Sequence, residues 1–372
     1  NVPIIKGVIQ DSTRIDLSIP FIKNLLARNT KLFLISHLGR PKSDKDNSLS
    51  LLPVFNYLKS KIEKKIFFNI NKITNKTQKE ISYLKKGEMI FFENIRYNED
   101  EIKNDDNFAK NLSSIGDIYI NDAFACSHRK QSSIHKITKY IKSSYAGPLL
   151  MKEIISINMV LNNKQSPITC IIGGAKISTK LGVITSLIKK IDNLIIVGAM
   201  ANNFLKFKGG KIGKSLVEID AEKTVKEILN EAEKNNCEII LPSDFAVSNS
   251  TEGDASFKEL KNVKDDEMIL DIGPQTIEKI GKIIDASKTV LWNGPAGFFE
   301  NKNFLKGTVS IAKKISNNTS YNSLISIVGG GDTISAIKNN VSHLNFTHLS
   351  TAGGAFLEYI EGKNLPGIEV LK

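Results

Sequence analysis

Short, almost wholly apolar runs recur along this chain, and each is followed by a loop and a longer stretch with helical spacing. They are KLFLI (31–35), EMIFF (88–92), DIYI (117–120), PITCII (167–172), NLIIV (193–197), TVLW (289–292), LISIV (324–328) and FTHLS (346–350). Runs of this kind alternating with helices predict an α/β fold, with β/α units wound around parallel sheets. A length of 372 residues exceeds one ordinary domain and suits two, each able to bury a core of its own. The boundary is expected at AGPLLMKEIISINMVLNNK, residues 146–164, which reads as a long amphipathic helix with Pro148 near its first turn. The expected division is 1–150 and 151–354, with an interdomain helix over about 148–163.

The loops beyond the strand ends differ between the two halves. In the first half SHLGR, ENIRY and DAFACSHRK put His37 with Arg40, Arg96, and His128 with Arg129 at the carboxyl ends of predicted strands. Ligands of open α/β sheets collect there. Only five of the 51 basic residues are arginine, and all five, Arg14, Arg28, Arg40, Arg96 and Arg129, fall in the first 129 positions. A guanidinium offers phosphate or carboxylate a rigid fork that an ammonium cannot copy. Arg28, in NLLARNT, ends a helix. The other four fit a basic crown for a small, multiply anionic molecule, although any one alone reads better as a solvated loop residue.

In the second half the corresponding loops are GGAKISTK, GAMANN, NGPAGFFE, GGGDT and TAGGA. Glycine lets backbone N–H groups approach a phosphate, and the helix start that follows adds partial positive charge, which suits a nucleotide. Lys176 and Lys180 stand at i and i+4 near a predicted helix start, where cations oppose the helix dipole unless an anion is bound there. Two solvated lysines are the plainer alternative. Asp332, closing GGGDT, would repel a phosphate unless a cation bridges the two, which makes it a Mg²⁺ site completed by the nucleotide, with a helix cap as the other reading. KGGKIGKS (208–215) resembles a P-loop, but Gly209 precedes Gly213 by four residues where the pattern requires five. No GxGxxG fingerprint with a downstream acid is present either, which disfavours a nicotinamide enzyme.

The net charge of +12 is spread over scattered lysines without a dense basic run, so no nucleic-acid partner is expected. Three cysteines without a CxxC pair predict a reducing, cytoplasmic setting, and no apolar run approaches the ~20 residues of a membrane helix. His135, His343 and His348 show no metal-ligand spacing, and Trp292 and the cysteines are expected in the core.

NVP at the start, SHLGRP, ENIRY, SHRK, AGPLL, GGAKISTKLGVI, LWNGPAGFFE, GGGDT and STAGGAFLE, in this order from Asn1 to Leu371, closely resemble the phosphoglycerate kinase family. The resemblance implies two Rossmann-like parallel-sheet domains joined by a hinge helix, in a monomeric enzyme of glycolysis. Its reaction would move a phosphoryl group reversibly between 1,3-bisphosphoglycerate and ADP, giving 3-phosphoglycerate and ATP with Mg²⁺. Transfer would be in line, after domain closure and without a covalent intermediate, since no Ser-His-Asp or Cys-His arrangement is evident. Carried over, the N-terminal domain would hold the glycerate through Asn1, Arg14, His37, Leu38, Gly39, Arg40, Arg96 and Arg129. The C-terminal domain would hold the nucleotide through Gly173, Lys180, Gly198, Asn293, Gly330, Gly331, Asp332 and Thr333, with Glu300 toward the ribose. Arg14, Lys176 and backbone N–H groups near Gly331 and Gly354 would meet the transferring group, and a tail over 355–372 would pack back on the first domain.

The sequence departs from the family pattern in places. An Arg-x-Asp segment usual before the asparagine matching Asn1 is not in this sequence. Val197, Ala199 and Ala352 replace glycines and are expected to narrow the nucleotide pocket, and Cys126 and Lys130 flank the SHR segment unusually. A different two-domain kinase for a small acid and a basic nucleic-acid-binding protein remain the rival readings.

Overall fold

The computed structural model describes residues 1–43, 46–162, 165–338 and 340–371. It divides into two compact units, Asn1–Lys152 with Asn364–Lys372, and Glu153–Lys363.

Unit 1 opens with a two-residue hairpin, β1 (Ile4–Ile5) and β2 (Val8–Ile9), and continues through α1 (Thr13–Ala27), β3 (Leu32–Leu34), α2 (Leu52–Lys61), β4 (Ile66–Asn69), α3 (Thr77–Glu80) and β5 (Met89–Phe92). Next come α4 (Glu99–Ile102), α5 (Asp106–Ser113), β6 (Ile118–Asn121), β7 (Ser143–Ala146) and α6 (Pro148–Leu161), a helix that starts in unit 1 and runs on into unit 2 after Lys152. Strand β5 lies between β3 and β4, all parallel, and β6 pairs in parallel with β7. Successive side chains of a strand point to opposite faces. Accordingly Met89 and Phe91 pack with Leu26 and Phe55 on one side of β5, while Ile90 and Phe92 pack with Phe108 and Leu112 on the other. Because β5 is covered on both faces, MIFF carries no polar residue.

Helix α6 begins at Pro148, where the Asp122 carboxylate accepts the Leu149 N–H at 2.7 Å and the Leu150 N–H at 3.2 Å. Its last residue is Leu161, and Asn163 and Lys164 of the expected helix lie outside the described residues.

Unit 2 runs through β8 (Ile168–Ile172), α7 (Leu181–Ile188), β9 (Asn193–Ile196), α8 (Ala199–Phe207), α9 (Glu222–Lys234) and β10 (Glu238–Ile240). A three-stranded antiparallel sheet follows, with β11 (Asp244–Ser248) between β12 (Ser256–Glu259) and β13 (Met268–Ile272). The chain then continues through α10 (Pro274–Ala286), β14 (Thr289–Asn293), α11 (Lys306–Tyr321), β15 (Ile325–Gly329), α12 (Gly331–Lys338), β16 (His348–Ser350) and α13 (Gly354–Ile360). The main sheet is parallel and ordered β10-β9-β8-β14-β15-β16. Strands added after β8 run outward in one direction and those from β14 in the other, so a crevice opens beyond the carboxyl ends of β8 and β14. Ile171, Ile195, Trp292 and Val328 form the centre of its core.

The tail expected from residue 355 begins later. Helix α13 stays in unit 2, where its Ile360 carbonyl accepts the Ser186 hydroxyl of α7 at 3.4 Å. The chain returns to unit 1 at Asn364 and forms α14 (Pro366–Glu369), where Asn121 Nδ2 donates to the Gly367 carbonyl at 2.9 Å.

Candidate functional site

Unit 1 carries Arg40, Arg96 and Arg129 in the loops after β3, β5 and β6 and Arg14 at the start of α1, while Arg28 caps the end of α1. After β3 the chain turns at Gly39, whose φ is +57°, and Asn94, in the loop after β5, fixes that turn. Asn94 Oδ1 accepts the Leu38 N–H at 3.2 Å, and Nδ2 donates to the Leu38 carbonyl at 2.8 Å and the Leu49 carbonyl at 2.9 Å. Arg96 then reaches the Gly39 carbonyl with Nη1 at 2.5 Å. Its other two nitrogens, Nε and Nη2, are buried and have no hydrogen-bond partner among the described residues. Only 5% of Arg96 is exposed, so water cannot readily substitute for that partner. The open edge of the guanidinium is the geometry that accepts a bidentate oxyanion.

Other predicted residues converge on the same place. Arg14 Nη1 donates to the Asn1 carbonyl at 2.6 Å, and Asn1 Oδ1 accepts the Gly39 N–H at 3.3 Å. Arg129 Nε donates to His128 Nε2 at 3.3 Å. Burial, then the Asn1 amino group and the positive charges of Arg96, Arg129 and Arg14, push the His37 imidazole down to about 2, so it is neutral at pH 7. Burial also lowers Arg96, and the Arg129 charge adds to that. Like charges held this close call for an anion. Arg40 is exposed on the same loop, whereas the Leu38 side chain belongs to the core and offers the site only its backbone.

Unit 2 builds a different surface at its crevice. Gly173 after β8 and Gly294 after β14 approach so closely that a Cβ on either would overlap the other's backbone. Gly198, at φ +67°, donates its N–H to the Ala296 carbonyl at 3.0 Å. Lys180 turns into this crevice rather than outward: Nζ donates to the Gly173 carbonyl at 2.7 Å and to Asn293 Oδ1 at 2.7 Å. These two oxygens compensate part of the Lys180 charge beside the start of α7. Burial pulls the Lys180 ammonium down to about 8, and Asp332 acts in the opposite direction.

Thr333 is fully buried, and its hydroxyl oxygen accepts the Gly294 N–H at 2.8 Å, bracing the loop from beneath. Trp292 is also buried, donating from Nε1 to the Gly294 carbonyl at 2.8 Å. Lys176, Glu300, Gly331, Asp332 and Gly354 are exposed on the loops and helix starts following β8, β14, β15 and β16. The Val197 side chain joins Ile195 and Trp292 in the core and Ala352 is likewise buried, whereas Ala199 is half-buried at the start of α8.

Among the described residues no three His, Cys, Asp or Glu side chains cluster as a metal cage. One exposed carboxylate, Asp332, beside Gly330 and Gly331 is a donor set suited to Mg²⁺, which keeps several waters and takes phosphate oxygens as ligands.

Two supporting carboxylates escaped sequence reasoning. Asp271, 2% exposed, accepts the Gly307 N–H at 2.7 Å and the Ile272 N–H at 2.8 Å. A side chain at Gly297 would strike it, so Asp271 lies under the loop that carries Glu300. Its only sequence signal is an acid within the apolar run MILDI. Glu218 accepts the Ser178 N–H at 3.0 Å, tying down the segment after Lys176 from 40 residues away. No helix among the described residues is long and apolar enough to cross a membrane.

Comparison with known proteins agrees with this geometry. The sequence model of the family described as Phosphoglycerate kinase matches residues 1–363. Phosphoglycerate kinase of Wolbachia sp. subsp. Drosophila simulans (strain wRi) is 44% identical, over 100% of this chain and 94% of that protein. That of Orientia tsutsugamushi (strain Ikeda) is 44% identical, over 100% and 92%. The solved phosphoglycerate kinase from Coxiella burnetii superposes with a TM-score of 0.86 at 35% identity, covering 100% of this chain and 93% of that one. The one from Pyrococcus horikoshii OT3 gives 0.86 at 29% identity, with the same coverage. With a family match over nearly its whole length and relatives well above 30% identity, the chain belongs to the phosphoglycerate kinase family and is a phosphotransferase.

Proposed function

We propose that this chain transfers a phosphoryl group reversibly between 1,3-bisphosphoglycerate and ADP, giving 3-phosphoglycerate and ATP, with unit 1 binding the acid and unit 2 the nucleotide. The observation that carries this reading is Arg96, whose buried Nε and Nη2 lack a partner among the described residues, amid Arg14, Arg129 and a neutral His37. A phosphate or carboxylate supplies both the acceptors and the charge that this cluster lacks. Unit 2, by contrast, presents glycine backbone at a sheet switch point, with lysines and one acid nearby.

The chemistry needs positioning and charge stabilisation more than it needs an enzyme nucleophile. Arg96 and Arg129 hold the acid's anionic groups, and the Gly39 and Arg40 loop encloses them. The Gly173 to Lys180 segment and the start of α12 hold the phosphates of the nucleotide. Arg14 and Lys176 stabilise charge on the transferring group, and backbone N–H groups near Gly331 and Gly354 add to this. Mg²⁺, when bound, would be held by Asp332 and would neutralise phosphate charge. Because the two substrates bind on different units, transfer requires closure that brings the reacting oxygen and phosphorus together and excludes water.

A coupled assay for ATP-dependent consumption of 3-phosphoglycerate, run with and without Mg²⁺, tests the proposal. Turnover that needs both ligands and the metal is expected. Preference for a different acid, or salt-sensitive RNA binding without turnover, would favour one of the rival readings.

A further inference from the structure

We propose that Glu101 is a positioning residue for the acid-binding site, setting the place of Arg129 relative to Arg96 by clamping the loop that carries Arg129 onto the helix that follows Arg96. The inference rests on the reading of unit 1 as the acid-binding unit. Glu101 is 1% exposed on α4, five residues after Arg96. Its two carboxylate oxygens are taken up by one residue: Ser133 N–H donates to Oε2 at 2.8 Å and Ser133 Oγ donates to Oε1 at 2.6 Å.

The backbone repeats the clamp. Ser132 N–H donates to the Glu101 carbonyl at 3.0 Å, and Ser132 Oγ donates to the Asp100 carbonyl at 2.9 Å. From Ser132 the constraint passes to Arg129 through a short turn, in which Gln131 N–H donates to the Arg129 carbonyl at 3.2 Å. Segments 96–101 and 129–133 are thereby joined at one end by these bonds, while their arginines project from the other.

Two guanidinium groups holding one small acid repel each other, so their spacing needs a restraint that does not come from the ligand. The Glu101 clamp is that restraint. A buried carboxylate is costly unless compensated. Here burial raises Glu101, while the two Ser133 donors and the Arg96 charge favour its ionised form. An apolar residue would fill the same space without that cost, so a merely space-filling role does not account for an acid at this position.

The test separates acid binding from nucleotide binding in the full chain. In Glu101→Ala, KM for 3-phosphoglycerate is expected to rise about tenfold or more, with KM for ATP within about twofold and kcat within about threefold. Glu101→Gln keeps the shape and an acceptor for the Ser133 N–H, and is expected to recover KM for the acid to within about threefold of wild type. Ser133→Ala removes only the hydroxyl donor and is expected to raise KM for the acid by about threefold, a readout that survives if the alanine variant at Glu101 does not fold. Parallel rises in both KM values, an unchanged KM for the acid, or a glutamine variant no better than alanine would each overturn the role. A wild-type enzyme that does not turn over 3-phosphoglycerate would instead overturn the functional reading beneath it.

Discussion

The ammonium of Lys180 lies 2.7 Å from the side-chain oxygen of Asn293, joining the loop after β8 to the end of β14 at the point where the sheet order reverses. The same ammonium holds the Gly173 carbonyl, so a single cation fastens both walls of the crevice. Asn293→Ala removes one acceptor from a half-buried charge, a hydrogen bond worth roughly 1.5–3 kcal/mol. The expected result is about tenfold weaker ATP binding by calorimetry, with 3-phosphoglycerate binding unchanged.

Lys176, exposed on the loop after β8, is assigned to charge that develops during transfer rather than to ground-state binding. Lys176→Ala is therefore expected to lower kcat by about 10²-fold or more while KM for ATP stays within about threefold. A loss of nucleotide binding with kcat intact, measured by steady-state kinetics, would remove Lys176 from the transfer step.

Arg96→Lys keeps the charge but discards the fork whose Nε and Nη2 have no partner among the described residues. The expected outcome is a rise of about 10–100-fold in KM for 3-phosphoglycerate with KM for ATP unaffected. Equal effects of Lys and Gln at this position would show that geometry matters more than charge, and a variant indistinguishable from wild type would contradict the assignment.

Asp271 gives the stability of unit 2 a pH dependence of known sign. Burial pushes its carboxyl up to about 7 from an ordinary 3.8, so the folded chain keeps a proton that the unfolded chain releases between those values. Its stabilising contribution is present below about pH 4 and lost as pH rises through about 7. Trp292 is the one tryptophan of the chain and is buried in unit 2, so its fluorescence reports that unit's unfolding in denaturant. The wild-type stability minus that of Asp271→Asn is expected to fall from pH 4 to pH 7 by at most about 4 kcal/mol. A flat difference would show that the acid is already ionised throughout.

Much of this architecture was legible in local sequence. Parallel strands covered on both faces are mostly apolar, as PITCII, NLIIV and TVLW show with one polar residue each, and their ends could be located from the glycines or arginines that follow. The scarcity of arginine marked Arg96 and Arg129 because a lysine-rich chain has no compositional reason to use it there. Long-range partners left no comparable mark. Asn94 bonds Leu38 from 56 residues away, and Asp271 caps Gly307 from 36, and nothing in either neighbourhood announces the partner. Periodicity could not separate Lys180, which folds inward onto carbonyl oxygens, from exposed Lys176. Nor could it show that Val197, the residue after β9, points into the core, since that depends on which distant elements cover it.

A crystal structure of this protein with 3-phosphoglycerate and a non-hydrolysable Mg²⁺–ATP analogue bound is the most direct test of the division of labour between guanidinium and backbone. The phosphate or carboxylate of the acid should lie within hydrogen-bond distance of Arg96 Nε and Nη2, and the nucleotide phosphates against the Gly173–Lys180 loop and the start of α12. Both ligands in one unit, or an acid that leaves those two nitrogens unpaired, would contradict it.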